Sequence, residues 1–236
     1  MKKVILATMV MASVTAGAQG FLKNVQKAVK TVQSKSLSET DAANGIKEAL
    51  IKGTNESVKA TSAADGYLKN PLIKIPFPED ARNVETKLRA MGMGKQVDEA
   101  ITSINRAAED AAKDAGNIFV TAVKNISVND AVNIVKGNND AATTYLKTNT
   151  STELNAKFQP TIKTSLDKVN ATKCWTDLIN IYNKIPLVKK VNPDLTSYVT
   201  GKASDGLFLM IAQEEGKIRK DPTARTSELL KKVFGN

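Results

Sequence analysis

The stretch VDEAITSINRAAEDAAKDAGNIFVTA, residues 97–122, carries the longest helical pattern in the chain. Its apolar side chains recur three and four positions apart, from Val97 through Ile104 to Phe119, as they do on one face of an α-helix. The middle of the stretch is rich in alanine, a small side chain that lets neighbouring helices approach closely. The pattern therefore predicts one long helix at the centre of a helical bundle.

The same spacing continues on both sides of this stretch, and the alternation typical of strands is nearly absent. It predicts an all-α fold, a single-domain bundle of about eight to nine helices over residues 38–236. Helix starts are expected where a capping residue or a proline precedes an apolar run. These starts are Ser38 with Asp41, Pro78 with Glu79, Ser127 with Asp130, Asn138 to Asp140, and Thr150 with Glu153.

Glycines and prolines mark the exceptions to the helical pattern. Residues 65–78 contain an Asp-Gly turn and three prolines, which exclude a continuous helix and predict a Pro-rich extended loop. The last long helix, from Leu195 to Ile218, contains Gly201 and Gly206. Because glycine lowers helix stability, we expect both to permit tight contacts with neighbouring elements.

Residues 1–18 have the form of a secretory signal peptide. Two lysines precede an uncharged run from Val4 to Val14, and Ala16-Gly17-Ala18 predicts cleavage near Ala18-Gln19. The run is too short to span a bilayer, no later stretch is long enough, and no cysteine follows for a lipoprotein anchor. We expect an exported chain, periplasmic in a host with two membranes, with neither lipid anchor nor transmembrane helix.

Residues 19–37 form a basic amphipathic segment that contains four lysines and no acidic residue. On a helical wheel its apolar side chains share one face, while Lys23, Lys27 and Lys30 lie mainly opposite. This is the pattern of a helix that lies on an anionic membrane surface. The same apolar face could instead pack on the bundle, and both interpretations stay open.

The composition narrows the possible chemistry. The chain has no histidine and one cysteine, which removes the commonest general base and the histidine-dependent nucleophile pairs. Cys174 lies in a helical pattern beside Trp175 and is expected to be buried. The formal charge is +10, but aromatic residues make up only 5% and the positive charge is mostly dispersed lysine, which argues against nucleic acid as a partner. No cofactor-binding motif or calcium loop is present, so we expect no cofactor and no metal.

Several segments, taken together and in order, resemble a known bacterial family. They are Asp65 to Leu68 with Asn70-Pro71, Ile75 to Glu79, Asn105 to Glu109, Asp140 to Thr143 with Tyr145, and the C-terminal run from Tyr198 to Gly235. Over roughly residues 37–235 the chain is similar to the exported family called domain of unknown function 4197. The resemblance implies an exported helical protein, and it implies no activity.

Arg106 is the first candidate site residue. Alanines follow it on the helix, so part of its side chain is expected to meet other helices, and a partly buried arginine requires a carboxylate. Its expected partners are Asp205, Glu214 or Asp140. Such an arginine could hold an acidic ligand in a pocket, or it could form an internal ion pair that fixes helix register.

The other candidates for contact with a ligand or partner lie in the segments that carry the resemblance. In the loop, Asp65, Tyr67 and Asn70 predict a structured turn in which the tyrosine either covers the core or lines a cleft. Asp140 is explained as a helix N-cap. Tyr145 and Arg225 complete the set, and no residue is assigned as catalytic.

The function that these observations favour is a non-enzymatic, exported helical protein that binds a small apolar or acidic ligand or an envelope protein. One alternative is a carboxylate-based, hydrolase-like enzyme with a cleft around Arg106, Asp205 and Glu214. The other is a peripheral envelope protein held on an anionic membrane through residues 19–37.

Overall fold

The computed structural model describes residues 38–184, 187, 189–192 and 194–235. The signal sequence and the basic segment at 19–37, for which we predicted membrane or bundle contact, lie outside the described residues. The described part of the chain contains nine α-helices, two short 3₁₀ turns and no β-strand. The predicted all-α multi-helix fold is therefore confirmed.

The helices are α1 (Glu39–Ser62), α2 (Arg82–Ala90), α3 (Gly94–Ala112), α4 (Ala115–Lys124), α5 (Val128–Lys136), α6 (Ala141–Lys168), α7 (Ala171–Tyr182), α8 (Leu195–Lys220) and α9 (Glu228–Phe234). The core lies where α8 packs against α6 and α1 and where α3 packs against α6. Helices α4, α5 and α9 pack against α1. Within the described residues, no helix is both long and apolar enough to cross a bilayer.

Helix starts and stops follow local chemistry at several predicted positions. The Ser127 hydroxyl accepts a hydrogen bond from Asp130 N and caps α5, as its sequence predicts. Helix α2 ends where Met93 N donates to Leu88 O at 2.9 Å, with Gly92 in the left-handed region at φ +81°. Glycine adopts that conformation without steric cost.

The stretch at 97–122 is two helices, and the prediction of one long helix is wrong. Helix α3 ends at Ala112, and α4 begins at Ala115 after a turn in which Asp114 N bonds Ala111 O at 3.0 Å. The break lets α4 pack against both α1 and α6. It also places Phe119 edge-on to Phe208 of α8, with ring centroids 5.9 Å apart. Tertiary packing overrides the continuous helical periodicity here.

The predicted helix start at Thr150 and Glu153 is also wrong, because α6 runs unbroken from Ala141 to Lys168. The Thr150 hydroxyl is buried and donates to Leu146 O within the same helix at 2.7 Å. That bond satisfies the side chain inside a helix and removes any need for a capping role. The helix also contains Pro160.

The two glycines of α8 differ. A Cβ on Gly206 would lie 2.8 Å from Cε1 of Tyr67, so this glycine permits the tight contact that was expected. A Cβ on Gly201 would meet nothing within 4 Å, so the expectation of a tight contact there is wrong. Asp221-Pro222 follows the last residue of α8, as predicted.

Candidate functional site

Two side chains of α3 fasten the Pro-rich loop to the bundle. Asn105 is fully buried, accepts a hydrogen bond from Ile75 N at 2.8 Å and donates to Ile75 O at 2.9 Å. Its amide therefore satisfies both backbone groups of one extended loop residue, as a neighbouring strand would do. A buried loop is possible here because its polar backbone groups have partners.

Glu109 lies one helical turn after Asn105 and holds the start of the loop. Its Oε1 accepts from the backbone N–H groups of Tyr67 and Leu68, each at 3.1 Å. Its Oε2 accepts from Arg106 at 2.6 Å. The glutamate is 5% exposed, so its charge is buried but fully hydrogen-bonded.

Arg106 joins the same cluster from the solvent side. Its second guanidinium nitrogen donates to Asp65 Oδ1 at 2.6 Å, so it bridges two carboxylates. Hydrogen bonds from Lys69 and Arg106 lower the pKa of Asp65. The predicted partners of Arg106, which were Asp205, Glu214 and Asp140, are therefore wrong. Its carboxylates come from its own helix and from the adjacent loop.

Tyr67 covers the core rather than lining a cleft. It is fully buried, and its hydroxyl donates to Ala203 O of α8 at 2.6 Å. Burial raises the pKa of this phenol well above its ordinary value. Farther along the loop, Asn70 Oδ1 accepts from Leu72 N at 3.1 Å and stabilises a local turn. We call Asp65, Tyr67, Asn105, Arg106 and Glu109 the loop clamp.

The structure does not form the carboxylate cleft around Arg106, Asp205 and Glu214. Asp205 and Glu214 lie nine residues apart on the unbroken helix α8, which separates them by about 13 Å along its axis. Asp205 pairs with Lys147 at 3.1 Å, and Glu214 pairs with Lys217. Each of the three residues thus has a different ion-pair partner.

Asp140 stands at the N-cap of α6, but its side chain makes no capping hydrogen bond, so the predicted capping role is wrong. The cap comes instead from Glu215 of α8, whose carboxylate accepts from Ala142 N at 3.0 Å and from Thr143 N at 2.8 Å. Arg219 donates to the same carboxylate at 2.9 Å. A negative charge at a helix N-terminus is favourable because the helix dipole is positive there.

The remaining two candidates have separate settings. Tyr145 is half-buried beside Asp140 in a surface groove between α5 and α6. Burial raises the pKa of its phenol. Arg225 donates to Ile218 O at 3.0 Å and to Arg219 O at 2.7 Å, and so satisfies carbonyls at the C-terminus of α8.

A different region holds an apolar cavity of about 360 Å³, which we call the apolar cleft. Its floor is buried and includes Phe77, Ile104 and Trp175, and Val169 and Cys174 at its edge are exposed. The expectation that Cys174 is buried is therefore wrong. The full lining is Phe77, Leu88, Met93, Gln96, Val97, Glu99, Ala100, Ser103, Ile104, Val169, Ala171, Cys174, Trp175 and Leu195.

Trp175 is the distinctive residue of the apolar cleft. It is 5% exposed and packs edge-on against Phe77, with ring centroids 5.3 Å apart. Among the described residues, its Nε1–H finds no hydrogen-bond acceptor. A buried indole N–H usually has a partner, so this unpaired donor is an exception. Among all the residues that the structure describes, no group of three acidic or cysteine side chains is arranged to hold a metal ion.

Comparison with known proteins places the chain in a family. Residues 36–235 match the family described as "Protein of unknown function (DUF4197)". The chain belongs to this family. No curated protein and no solved structure matches it. Two of the segments that carried the resemblance, Asp65 to Leu68 and Asn105 to Glu109, meet in the loop clamp.

Sequence reasoning missed the residues that complete these clusters. Glu109 follows Arg106 by three positions, and i,i+3 spacing on a helix is a usable signal for an ion pair. Glu215 is not among the predicted site residues, and nothing local indicates that it caps a helix 72 residues earlier in the chain. The apolar cleft has no local signal either, because its lining comes from the loop and five helices or their ends.

Proposed function

We propose that the protein is an exported binding protein whose apolar cleft holds a small, mainly apolar ligand. The observation that carries the proposal is a preformed cavity of about 360 Å³ whose lining is mainly apolar and includes the buried ring of Trp175. The signal-like residues 1–18 motivate export, and the family membership is compatible with this function without specifying it.

The size and lining of the cleft suit such a ligand. Pockets for small molecules are typically about 300–1,000 Å³, mostly apolar, with a few placed polar groups. The volume of about 360 Å³ lies at the small end of that range. The polar side chains in its lining are Gln96, Glu99 and Ser103.

The chemistry of the cleft supports binding better than catalysis. Among its described lining residues, the ionisable side chains are Glu99 and Cys174. Ser103, the lining hydroxyl, donates to Glu99 O of its own helix at 2.9 Å. In the contacts that the structure shows, neither Cys174 nor Ser103 has a base placed to activate it. Nucleophilic catalysis requires such a base.

The proposal can be tested with N-phenyl-1-naphthylamine, a neutral apolar dye that becomes fluorescent in apolar sites. Trp175 is the single tryptophan of the chain, so all tryptophan emission comes from a residue in the wall of this cleft. We expect saturable dye binding that quenches tryptophan emission in wild-type protein. Ala100→Phe, which places a ring in the cleft, should weaken binding at least tenfold.

Ala122→Phe is the matched control, because Ala122 is half-buried like Ala100 but lies on α4 outside the cleft. It should bind the dye as the wild type does, and circular dichroism should show that both variants are folded. Equal binding by all three proteins would contradict the proposed site.

A further inference from the structure

A second groove of different residue composition lies beside the apolar cleft. The two share Ser103 and Val169 in their linings, so they are adjacent on the surface. The second groove has a volume of about 580 Å³ and is largely polar in residue type. We call it the polar groove; its lining is Ser62, Ala64, Thr102, Ser103, Arg106, Ala107, Glu109, Asp110, Lys113, Ser165, Lys168 and Val169.

Both carboxylates of the polar groove are already compensated by donors. Glu109 accepts from Arg106 and from two backbone N–H groups. Asp110 accepts from Lys113 at 2.6 Å and from Ser165 at 3.0 Å, and the Lys113 hydrogen bond lowers its pKa. The charges of Arg106 and Lys113 are therefore already paired with carboxylates.

Lys168 is the cation that remains. It is exposed, and within the described residues it makes no hydrogen bond and no ion pair. It lines the polar groove, and its charge helps to lower the pKa of Asp110. An anionic group that entered the groove would meet one uncompensated positive charge beside the hydroxyl-bearing residues Ser62, Thr102 and Ser103.

We infer that the ligand is a single-chain amphiphile with an anionic head, whose apolar chain lies in the apolar cleft and whose head lies near Lys168. This inference rests on the proposed function and specifies its ligand class. Because the two grooves share Ser103 and Val169, one ligand can span both by crossing at these residues. The charge of Lys168 provides the preference for an anion.

Three probes with the same decyl chain test the inference: decyl sulfate, decanol and decyltrimethylammonium, each below its micelle concentration. Affinity is measured by displacement of N-phenyl-1-naphthylamine from the full-length mature protein. We expect decyl sulfate to bind roughly two- to fivefold more tightly than decanol, the range that an exposed ion pair provides. The cationic probe should bind most weakly, and added salt should reduce the differences.

Lys168→Gln should abolish the preference for decyl sulfate and leave dye binding unchanged. Lys157→Gln is the matched control, since Lys157 is an exposed lysine on the same helix, three turns earlier and outside the groove. Equal affinity for decyl sulfate and decanol, or a preference that survives Lys168→Gln, would overturn the proposal of an anionic head group near Lys168. Neither result would contradict ligand binding in the apolar cleft. If neither the dye nor any probe binds, the proposed function itself is overturned, and this inference with it.

Discussion

Replacing Glu215 with alanine should destabilise the protein more than any single surface substitution. Its carboxylate accepts from two backbone N–H groups at the start of α6, from the Thr143 hydroxyl at 2.8 Å, and from Arg219. The side chains of Glu215 and Arg219 are 6% and 9% exposed. Removing one member of a buried pair costs about 3–5 kcal/mol, because the other charge stays buried without its partner.

Glu214→Ala is the natural control, because Glu214 is the adjacent residue and its partner Lys217 is largely exposed. An exposed ion pair contributes about 0–1 kcal/mol. The two free energies of unfolding can be compared by urea denaturation, followed by far-UV circular dichroism and by Trp175 emission. We expect a difference of at least 2 kcal/mol between the variants, given those two ranges. Equal destabilisation, or a loss below about 1 kcal/mol for Glu215→Ala, would refute the assignment of a buried cap.

Three further outcomes follow from the contacts described. Gly206→Ala should lower the free energy of unfolding by about 1–3 kcal/mol, because the added methyl group meets Tyr67. Gly201→Ala should be neutral or stabilising by up to about 1 kcal/mol, because its methyl group meets nothing. Because the pKa of Asp65 is lowered in the folded state, this carboxylate stabilises the protein above its ordinary pKa of 3.8, and the stabilisation is lost as pH falls through the lowered value. In denaturation measured across pH, the free energy of unfolding of Asp65→Asn should lack this acid-dependent contribution. Exposed Cys174 should react with a thiol reagent in the folded protein, and N-phenyl-1-naphthylamine should slow that reaction.

A specific result would contradict each of these three predictions. Equal effects of alanine at the two glycines would show that the Tyr67 contact relaxes without cost. An unchanged acid dependence in Asp65→Asn would show that the loop clamp does not depend on this charge; asparagine tolerates the left-handed backbone at φ +69°, so the comparison isolates the carboxylate. A thiol that reacts only after unfolding would contradict the position of Cys174 at the edge of the cleft.

The helices could be predicted where local chemistry decides them. Ser127 with Asp130 caps α5, and Asp221-Pro222 follows the end of α8, because each signal acts within one helical turn. The break at Asp114 and the continuity of α6 through Thr150 could not be predicted in the same way. Both depend on packing and hydrogen bonding that pattern alone does not distinguish, such as the contact of Phe119 with Phe208.

The candidate site shows the same division. Asp65, Tyr67 and Arg106 were singled out from the sequence and do meet, but in a structural clamp whose other members are Asn105 and Glu109. Conspicuous polar residues in this chain thus hold a loop in place. The apolar cleft consists of ordinary residues such as Leu88, Ala100 and Val169, which become a cavity wall only through the tertiary arrangement.

Native mass spectrometry tests the central claim most directly. Wild-type, Ala100→Phe and Ala122→Phe proteins would be purified gently from the host in which the chain is made. The proposal predicts an added mass on the wild type and on Ala122→Phe that disappears on denaturation and is absent from Ala100→Phe. A bare wild-type mass, or the same added mass on all three proteins, would contradict a ligand in the apolar cleft.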